Sequence, residues 1–260
     1  HLGAGQRVGI GWLAGSCMAC EFCLSGRENL CRQNQPTCVG RHGGFASHVR
    51  VDARFAAALP ASLSSEFAAP LLCAGITVFA PLRRQKLGRG ARVGIVGLGG
   101  LGHLAVQFAA ALDYRVTVFS TAANKETDVR RFGADRFVDV SKPGALAAAA
   151  DSCDFILSTV PVDLPWPEYL NLLKPDGQLC IVGAAPGDVR VPAFVLIDGQ
   201  KSIGGSAVGS NAEITAMLRF AAEFKISPQI ERFTLAQVNL ALDRARKNRL
   251  RYRAVLEIGR

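Results

Sequence analysis

The sequence predicts an α/β fold in which a doubly wound parallel sheet is joined to a second lobe. Three observations carry the prediction. Strand-like and helix-like segments alternate from Arg92 to about Ile203, as in repeated βαβ units. The first unit turns on Gly97-x-Gly99-x-x-Gly102, between a short apolar strand (Val93, Ile95, Val96) and an amphipathic helix. At 260 residues the chain exceeds the usual size of one domain, so two cores are expected.

The apolar share of 49% is ordinary for a globular protein. No run of 18 apolar residues occurs, which argues against a membrane span. The chain opens HLGAGQRVG, with neither an initiator methionine nor a signal-peptide pattern, and so reads as a piece of something longer. A cytoplasmic location is the expectation. The net charge of +9 draws on a cluster in which six of the ten residues from Arg244 to Arg253 are basic. Such a cluster can bind nucleic acid. Only Tyr252 interleaves an aromatic ring with those charges and no nucleic-acid motif accompanies them, so a solvated helix face and turn is favoured.

The chain begins with a short strand in Gln6–Trp12. Cys17, Cys20 and Cys23 follow at i, i+3 and i+6, with Cys31 after seven more residues. The first three are too close for an easy disulfide framework, and nothing indicates secretion. Four thiolates without an open position describe a structural zinc site. The rival is an iron–sulfur cluster, but the fourth cysteine comes after seven residues rather than three and no proline follows it. Zinc is favoured, as a staple of the lobe. An alternating strand is expected at Phe45–Val51, with His48 on its polar phase and without a role. His42 is ambiguous, and Cys38 has no partner at metal spacing.

A helix is expected from Ser64 or Ser65, then a second one to about Lys86. Between them Cys73 reads, on its residue chemistry alone, as a small buried hydrophobe. The Gly-rich strand enters after Gly88–Gly90. In its turn the first glycine permits a tight bend, the second lets the backbone approach a pyrophosphate, and the third lets helix and strand pack closely. The following helix offers unpaired N–H groups and a positive dipole end to the phosphates. Together these predict a bound dinucleotide.

Further strands are expected at Val116–Phe119, Arg136–Val138, Phe155–Leu157, Leu179–Val182 and near Ile203. Helices are expected at Lys125–Phe132, Ala145–Ala150 and Pro167–Leu173. Ligands of such sheets bind at the carboxyl ends of the strands, so the loops Ser120–Lys125, Thr159–Pro161, Gly183–Ala185 and Ser206–Val208 should line the crevice. An acid about 20 residues past the turn would mark a free ribose 2′-hydroxyl. The second strand instead runs into Ser120, Thr121, Asn124 and Lys125, with Glu126 and Asp128 only later. Hydroxyls and a lysine suit a 2′-phosphate, which favours NADP over NAD. The competing reading of Lys125 is a cap on a solvated helix end. Past Ser206 come a helix (Asn211–Phe224), a strand (Gln229–Phe233), a helix (Ala236–Arg246) and a final strand (Ala254–Ile258), which no longer extend the alternating sheet cleanly.

The cysteine tetrad, Gly-Gly-Phe-Ala, Leu-Leu-Cys73-Ala-Gly-Ile-Thr77, Gly97-Leu-Gly-Gly-Leu-Gly-His, Val208-Gly-Ser and Arg251-Tyr-Arg-Ala-Val stand in one order along the whole chain. In this the chain resembles the zinc-dependent medium-chain alcohol dehydrogenases, specifically the NADP-dependent cinnamyl-alcohol-dehydrogenase-like branch. The resemblance implies a Rossmann domain inserted in a GroES-like, β-rich catalytic domain. Residues 1–72 would be a partial GroES-like domain with the zinc lobe, 73–210 the NADP-binding domain, and 211–260 the return to the catalytic domain.

The resemblance also implies roles. Cys17, Cys20, Cys23 and Cys31 would hold the structural zinc, and Cys73 would be a ligand of a second, catalytic zinc. NADP contacts fall on Thr77, on Gly97, Leu98, Gly99, Gly100, Leu101 and Gly102, on Ser120, Thr121, Asn124 and Lys125, on Thr159 and Gly183, and on Ser206, Ala207 and Val208. The implied reaction is hydride transfer between NADP(H) and a primary alcohol or aldehyde, a small-molecule partner, with a homodimer one assembly open to it. The family's remaining catalytic-zinc ligands, a Cys and a His-Glu pair, and its Ser/Thr and His proton relay would precede the first residue. His1 does not match the ligand histidine, because too few residues separate it from Arg7-Val8-Gly9. The chain by itself is therefore expected to be close to inactive. The alternative is a non-catalytic NADP(H)-binding zinc protein, a sensor or scaffold.

Overall fold

A computed structural model describes residues 2–259; His1, set aside above as a ligand, lies outside them, as does Arg260. The chain forms two compact units, His1–Ala80 with Ala207–Arg260, and Pro81–Ser206. These limits differ from the expected boundaries at Cys73 and Ser210. The helical run that carries Cys73 is continuous to Arg84, and its first part is buried with the first unit's residues.

The first unit opens with β1 (Val8–Ile10), β2 (Leu13–Gly15), α1 (Glu21–Leu24), β3 (Gln35–Pro36) and β4 (Ala56–Ala58). β1 pairs antiparallel with β4, and β2 with β3. The strand expected at Phe45–Val51 is not formed, and this stretch is irregular and largely exposed, Phe45 at 63%. Alternation supplies a face, but a strand also needs a neighbour for its N–H and C=O groups. The available edge of β1 is taken by Ala56–Ala58 instead.

Next come α2 (Ser65–Pro70), a π-helical turn (Leu71–Gly75) and α3 (Ile76–Arg84). By length and composition the run Ser65–Arg84 is long and apolar enough to cross a bilayer. Its apolar side chains are instead buried in protein: Leu71, Ile76, Val78, Phe79 and Leu82 are each at most 1% exposed. It reads as a core helix.

The second unit holds β5 (Arg92–Val96), α4 (Gly102–Ala111), β6 (Arg115–Ser120), α5 (Glu126–Arg131), β7 (Arg136–Asp139), β8 (Cys153–Ser158), α6 (Trp166–Leu170), β9 (Leu173–Ile181), α7 (Ala193–Ile197) and β10 (Ser202–Gly205). All six strands are parallel, in the order β10-β9-β8-β5-β6-β7. That is the doubly wound order, which reverses direction between β5 and β8. Central strands covered on both faces read as unbroken apolar runs. Val93, Ile95, Phe155, Ile156, Leu157 and Leu179 are all fully buried. The helix expected at Ala145–Ala150 shrinks to a 3-10 turn at Ala147–Ala149, since too few residues follow Pro143-Gly144 to continue it. Leu173, expected to close a helix, starts β9 and pairs with Cys153.

The chain then adds α8 (Asn211–Glu223), β11 (Ile230–Thr234), α9 (Val238–Arg246) and β12 (Arg253–Glu257) to the first unit. β11 and β12 pair in parallel. A capping box starts α8: the Ser210 hydroxyl accepts from the Glu213 N–H, and the Glu213 carboxylate accepts from the Ser210 N–H. Phe79 packs on Phe220, and Arg232 pairs with Glu66 at 2.5 Å, which ties this segment to α3 and α2.

Candidate functional site

The Gly-rich turn stands where β5 and β8 diverge, the position at which doubly wound sheets take their ligands. Each glycine has a different reason. Gly97 has φ +89°, and a Cβ there would collide with the Val160 side chain. At Gly102 a Cβ would collide with the carbonyl of Gly97, so helix and turn close only around a hydrogen atom. Around Gly99 nothing lies within 4 Å of an added Cβ. That open face is where a pyrophosphate can lie against the backbone. Leu98 is buried, while Gly100 and Leu101 are half-buried.

Neighbouring loops hold the turn in place. The Thr159 hydroxyl donates to the Val96 carbonyl at 2.8 Å. Gly183 admits the chain beside Val160, whose carbonyl a Cβ would strike. Val160, within the expected crevice loop Thr159–Pro161, is thus the residue that two of the predicted glycines make room for, its side chain at Gly97 and its backbone at Gly183. At the end of β6, the Ser120 hydroxyl accepts from the Ala122 N–H at 3.2 Å, and Thr121 and Asn124 are exposed. The Lys125 ammonium donates to the Leu98 carbonyl at 3.0 Å. The acid nearest in register, Asp139 beside Ser120, accepts from the Ser141 hydroxyl at 2.6 Å and the Ser141 N–H at 3.0 Å. Those two bonds hold its carboxyl below the usual range. Ser206 meets Arg84 at 3.2 Å.

The four predicted cysteines converge in the first unit. Their Sγ atoms all lie within 4.8 Å of one another. Cys17 is 3.9 Å from Cys23 and 3.5 Å from Cys31. Zinc–sulfur bonds of about 2.3 Å in a tetrahedron put sulfurs about 3.8 Å apart, so the set fits zinc. Backbone N–H groups point at the sulfurs, Ala19 and Cys20 at Cys17, and Gln33 at Cys31. The Ala19 and Cys20 N–H groups and Cys31 hold the Cys17 thiol down to about 6. Asn29, two residues before Cys31, donates to the Ala207 carbonyl at 2.9 Å. Ala207 itself is exposed, and Val208 has φ +36°, uncommon for a branched side chain.

Cys73 corrects the residue-level expectation of burial. It is exposed, although every other residue from Pro70 to Leu82 is buried. The π-helical turn supplies the cause, since its extra residue rotates one position out of the buried face. Thr77, one turn later, donates its hydroxyl to the Cys73 carbonyl at 2.7 Å. Among the described residues no group of three or more His, Cys, Asp or Glu ligand atoms gathers besides the tetrad. Of the basic cluster, Arg244 pairs with Glu231 at 2.7 Å and Lys247 with Asp243 at 2.9 Å. These ion pairs count against a phosphate-binding role for those two side chains.

Comparison with known proteins agrees with this geometry. A family described as zinc-binding dehydrogenase matches residues 100–223, and the alcohol dehydrogenase GroES-like domain matches residues 1–61. Aldehyde reductase AdhA of Synechocystis is 41% identical over 256 residues, which cover 98% of this chain and 76% of that protein. A probable cinnamyl alcohol dehydrogenase 8A of rice (Oryza sativa subsp. japonica) is 42% identical over 265 residues, covering 98% and 74%. The solved structure of a Sorghum bicolor cinnamyl alcohol dehydrogenase superposes with a TM-score of 0.91 at 39% identity, covering 98% and 75%. That of the Helicobacter pylori enzyme complexed with NADP(H) gives 0.89 at 30%, covering 98% and 76%.

Proposed function

Because the chain belongs to the zinc-binding alcohol dehydrogenases of the cinnamyl-alcohol-dehydrogenase-like branch, we propose that it takes NADP(H) for the interconversion of aldehydes and primary alcohols. The observation that carries the NADP part is the end of β6. No carboxylate stands there, and Lys125 reaches across to the Gly-rich turn. When bound, NADP(H) supplies or takes up the hydride.

The chain's own residues do the rest. The backbone around Gly99 receives the pyrophosphate, and Ser120, Thr121, Asn124 and Lys125 receive the 2′-phosphate. Thr77, Thr159, Gly183, Ser206, Ala207 and Val208 complete the cofactor contacts. The cysteine tetrad holds a structural zinc. Cys73 presents one sulfur ligand, whereas a catalytic zinc takes three protein ligands. One such ligand alone does not make that site, so these 260 residues by themselves bind NADPH but reduce aldehydes slowly or not at all.

The test is titration with NADPH and NADH, followed by steady-state turnover of an aldehyde panel. Tight NADPH binding, weaker NADH binding and negligible turnover are expected. Robust turnover would overturn the proposed inactivity. Correctly folded protein that ignores both nucleotides would overturn the whole reading.

A further inference from the structure

His103 is the second residue of α4 and is fully buried, an uncommon place for an imidazole without a function or a partner. Its Nδ1 lies 3.0 Å from the carbonyl oxygen of Gly99. A carbonyl only accepts, so Nδ1 carries the hydrogen and donates it. The same oxygen also accepts the His103 backbone N–H at 3.1 Å. Nothing lies within 4 Å of a Cβ added at Gly99, whereas one at Gly97 or Gly102 would collide with its surroundings. The Gly99 carbonyl is thus held from the helix side while the space beside its Cα stays open.

The ring is fixed in turn. It packs at 5.8 Å against Phe132, just past α5, while the backbone that carries it accepts the Gln107 amide at the His103 carbonyl at 3.1 Å. Within a peptide unit, C=O and N–H point in opposite directions. Holding the Gly99 carbonyl toward the helix holds the next N–H, that of Gly100, away from it and toward the open face. Oriented N–H groups at a helix start are the donors that bind phosphate.

We infer that His103 is a positioning residue for the pyrophosphate: it orders the Gly99–Gly100 peptide before the nucleotide arrives. The inference rests on the NADP-binding reading above. Pre-ordering a binding backbone raises affinity by removing the cost of ordering it during binding.

The test compares His103→Leu, which keeps the bulk and loses the donor, with His103→Asn, whose amide nitrogen can stand near the place of Nδ1. Two probes are titrated: NADPH, and 2′-AMP, which has the 2′-phosphate but no 5′-phosphate and so no part of the pyrophosphate bridge. In His103→Leu the NADPH dissociation constant is expected to rise about tenfold or more while that of 2′-AMP stays within about twofold, and His103→Asn recovers most of the loss. Unchanged NADPH affinity in His103→Leu would overturn the inference, as would equal losses for both probes. If the leucine variant fails to fold, His103→Gln replaces it. Its amide extends to the place of Nε2, so NADPH binding as tight as in His103→Asn would also count against the assignment. Wild-type protein that binds neither NADPH nor NADH overturns the proposed function itself. Wild-type binding with an indifferent His103→Leu overturns only this step.

Discussion

The Lys125 ammonium donates to the Leu98 carbonyl at 3.0 Å, so the side chain that follows β6 is anchored in the turn that follows β5. The contact turns the charge toward the Gly-rich turn, which suits the proposed 2′-phosphate role better than a cap on a solvated helix end. Hydrogen bonds to charged groups contribute about 1.5–3 kcal/mol, and each 1.4 kcal/mol is a factor of ten. Lys125→Ala is therefore expected to weaken NADPH about tenfold to a hundredfold and NADH less than about threefold. Fluorescence titration with both nucleotides checks this, and equal losses for the two would remove Lys125 from the 2′-phosphate site.

Two glycines of the same turn, with different surroundings, give a matched pair of tests. Gly102→Ala sets a methyl group against the Gly97 carbonyl, backbone against backbone, with no flexible atom to yield. Overpacking of this kind costs about 1–3 kcal/mol or more, and a lowered midpoint in urea unfolding is the expected result. Gly99→Ala meets nothing within 4 Å, so its stability should stay within about 0.5–1 kcal/mol of wild type, the helix-propensity scale. Its methyl group occupies the face where the pyrophosphate is proposed to lie, and NADPH affinity should fall more than about tenfold. A Gly99→Ala protein with wild-type affinity would place the phosphates elsewhere.

Cys31 is 1% exposed and closes the tetrad from outside the Cys17–Cys23 run. Structural zinc sites contribute folding energy directly. Cys31→Ser is expected to cut zinc from about one ion per chain to a small fraction of that and to lower the thermal midpoint, whereas Cys38→Ser changes neither. Elemental analysis with thermal unfolding checks both. Iron with visible charge-transfer absorption in wild type would restore the iron–sulfur reading.

How much of this was legible in the sequence differs by feature. Gly97 and Gly102 could be read because the strand and helix that flank them are local: the φ of +89° at Gly97 is the tight bend, and the Gly97 carbonyl against Gly102 is a close approach of the kind expected of the third glycine, whereas the clash with Val160 is set by a distant loop. The tetrad could be read because four thiols at that spacing have few other fates. The exposure of Cys73 could not, since it depends on a π-helical turn that leaves no trace in composition. The irregular chain at Phe45–Val51 shows the opposite failure. Its alternation was real, but pairing is a property of the neighbours, and Ala56–Ala58 took β1. The bond from His103 to Gly99 spans only four residues, yet the glycine-rich pattern alone gives no reason to look for it.

The remaining thiols separate by environment. Cys38 and Cys73 are exposed, whereas Cys153 and Cys180 are buried in the sheet unit, and burial pushes both of their thiols up to about 11. Native protein at pH 8 should lose Cys38 and Cys73 to a disulfide-exchange reagent first, with Cys153 and Cys180 reacting only on unfolding. The same shift has a pH signature. An unfolded thiol ionises near 8.5, while the folded one keeps its proton to about 11, so above pH 8.5 the unfolded state binds fewer protons and stability falls as pH rises. Between pH 8 and pH 10 each thiol is expected to remove about 1–2 kcal/mol. Stopping at pH 10 limits the part of Tyr114 and Tyr169, which burial also pushes up: their unfolded phenols are then only about half ionised, a loss of about 0.4 kcal/mol each. Urea unfolding at the two pH values checks the slope. Cys153→Ala with Cys180→Ala should flatten it, and a double variant as alkali-sensitive as wild type would show that these two thiols do not hold their protons in the fold.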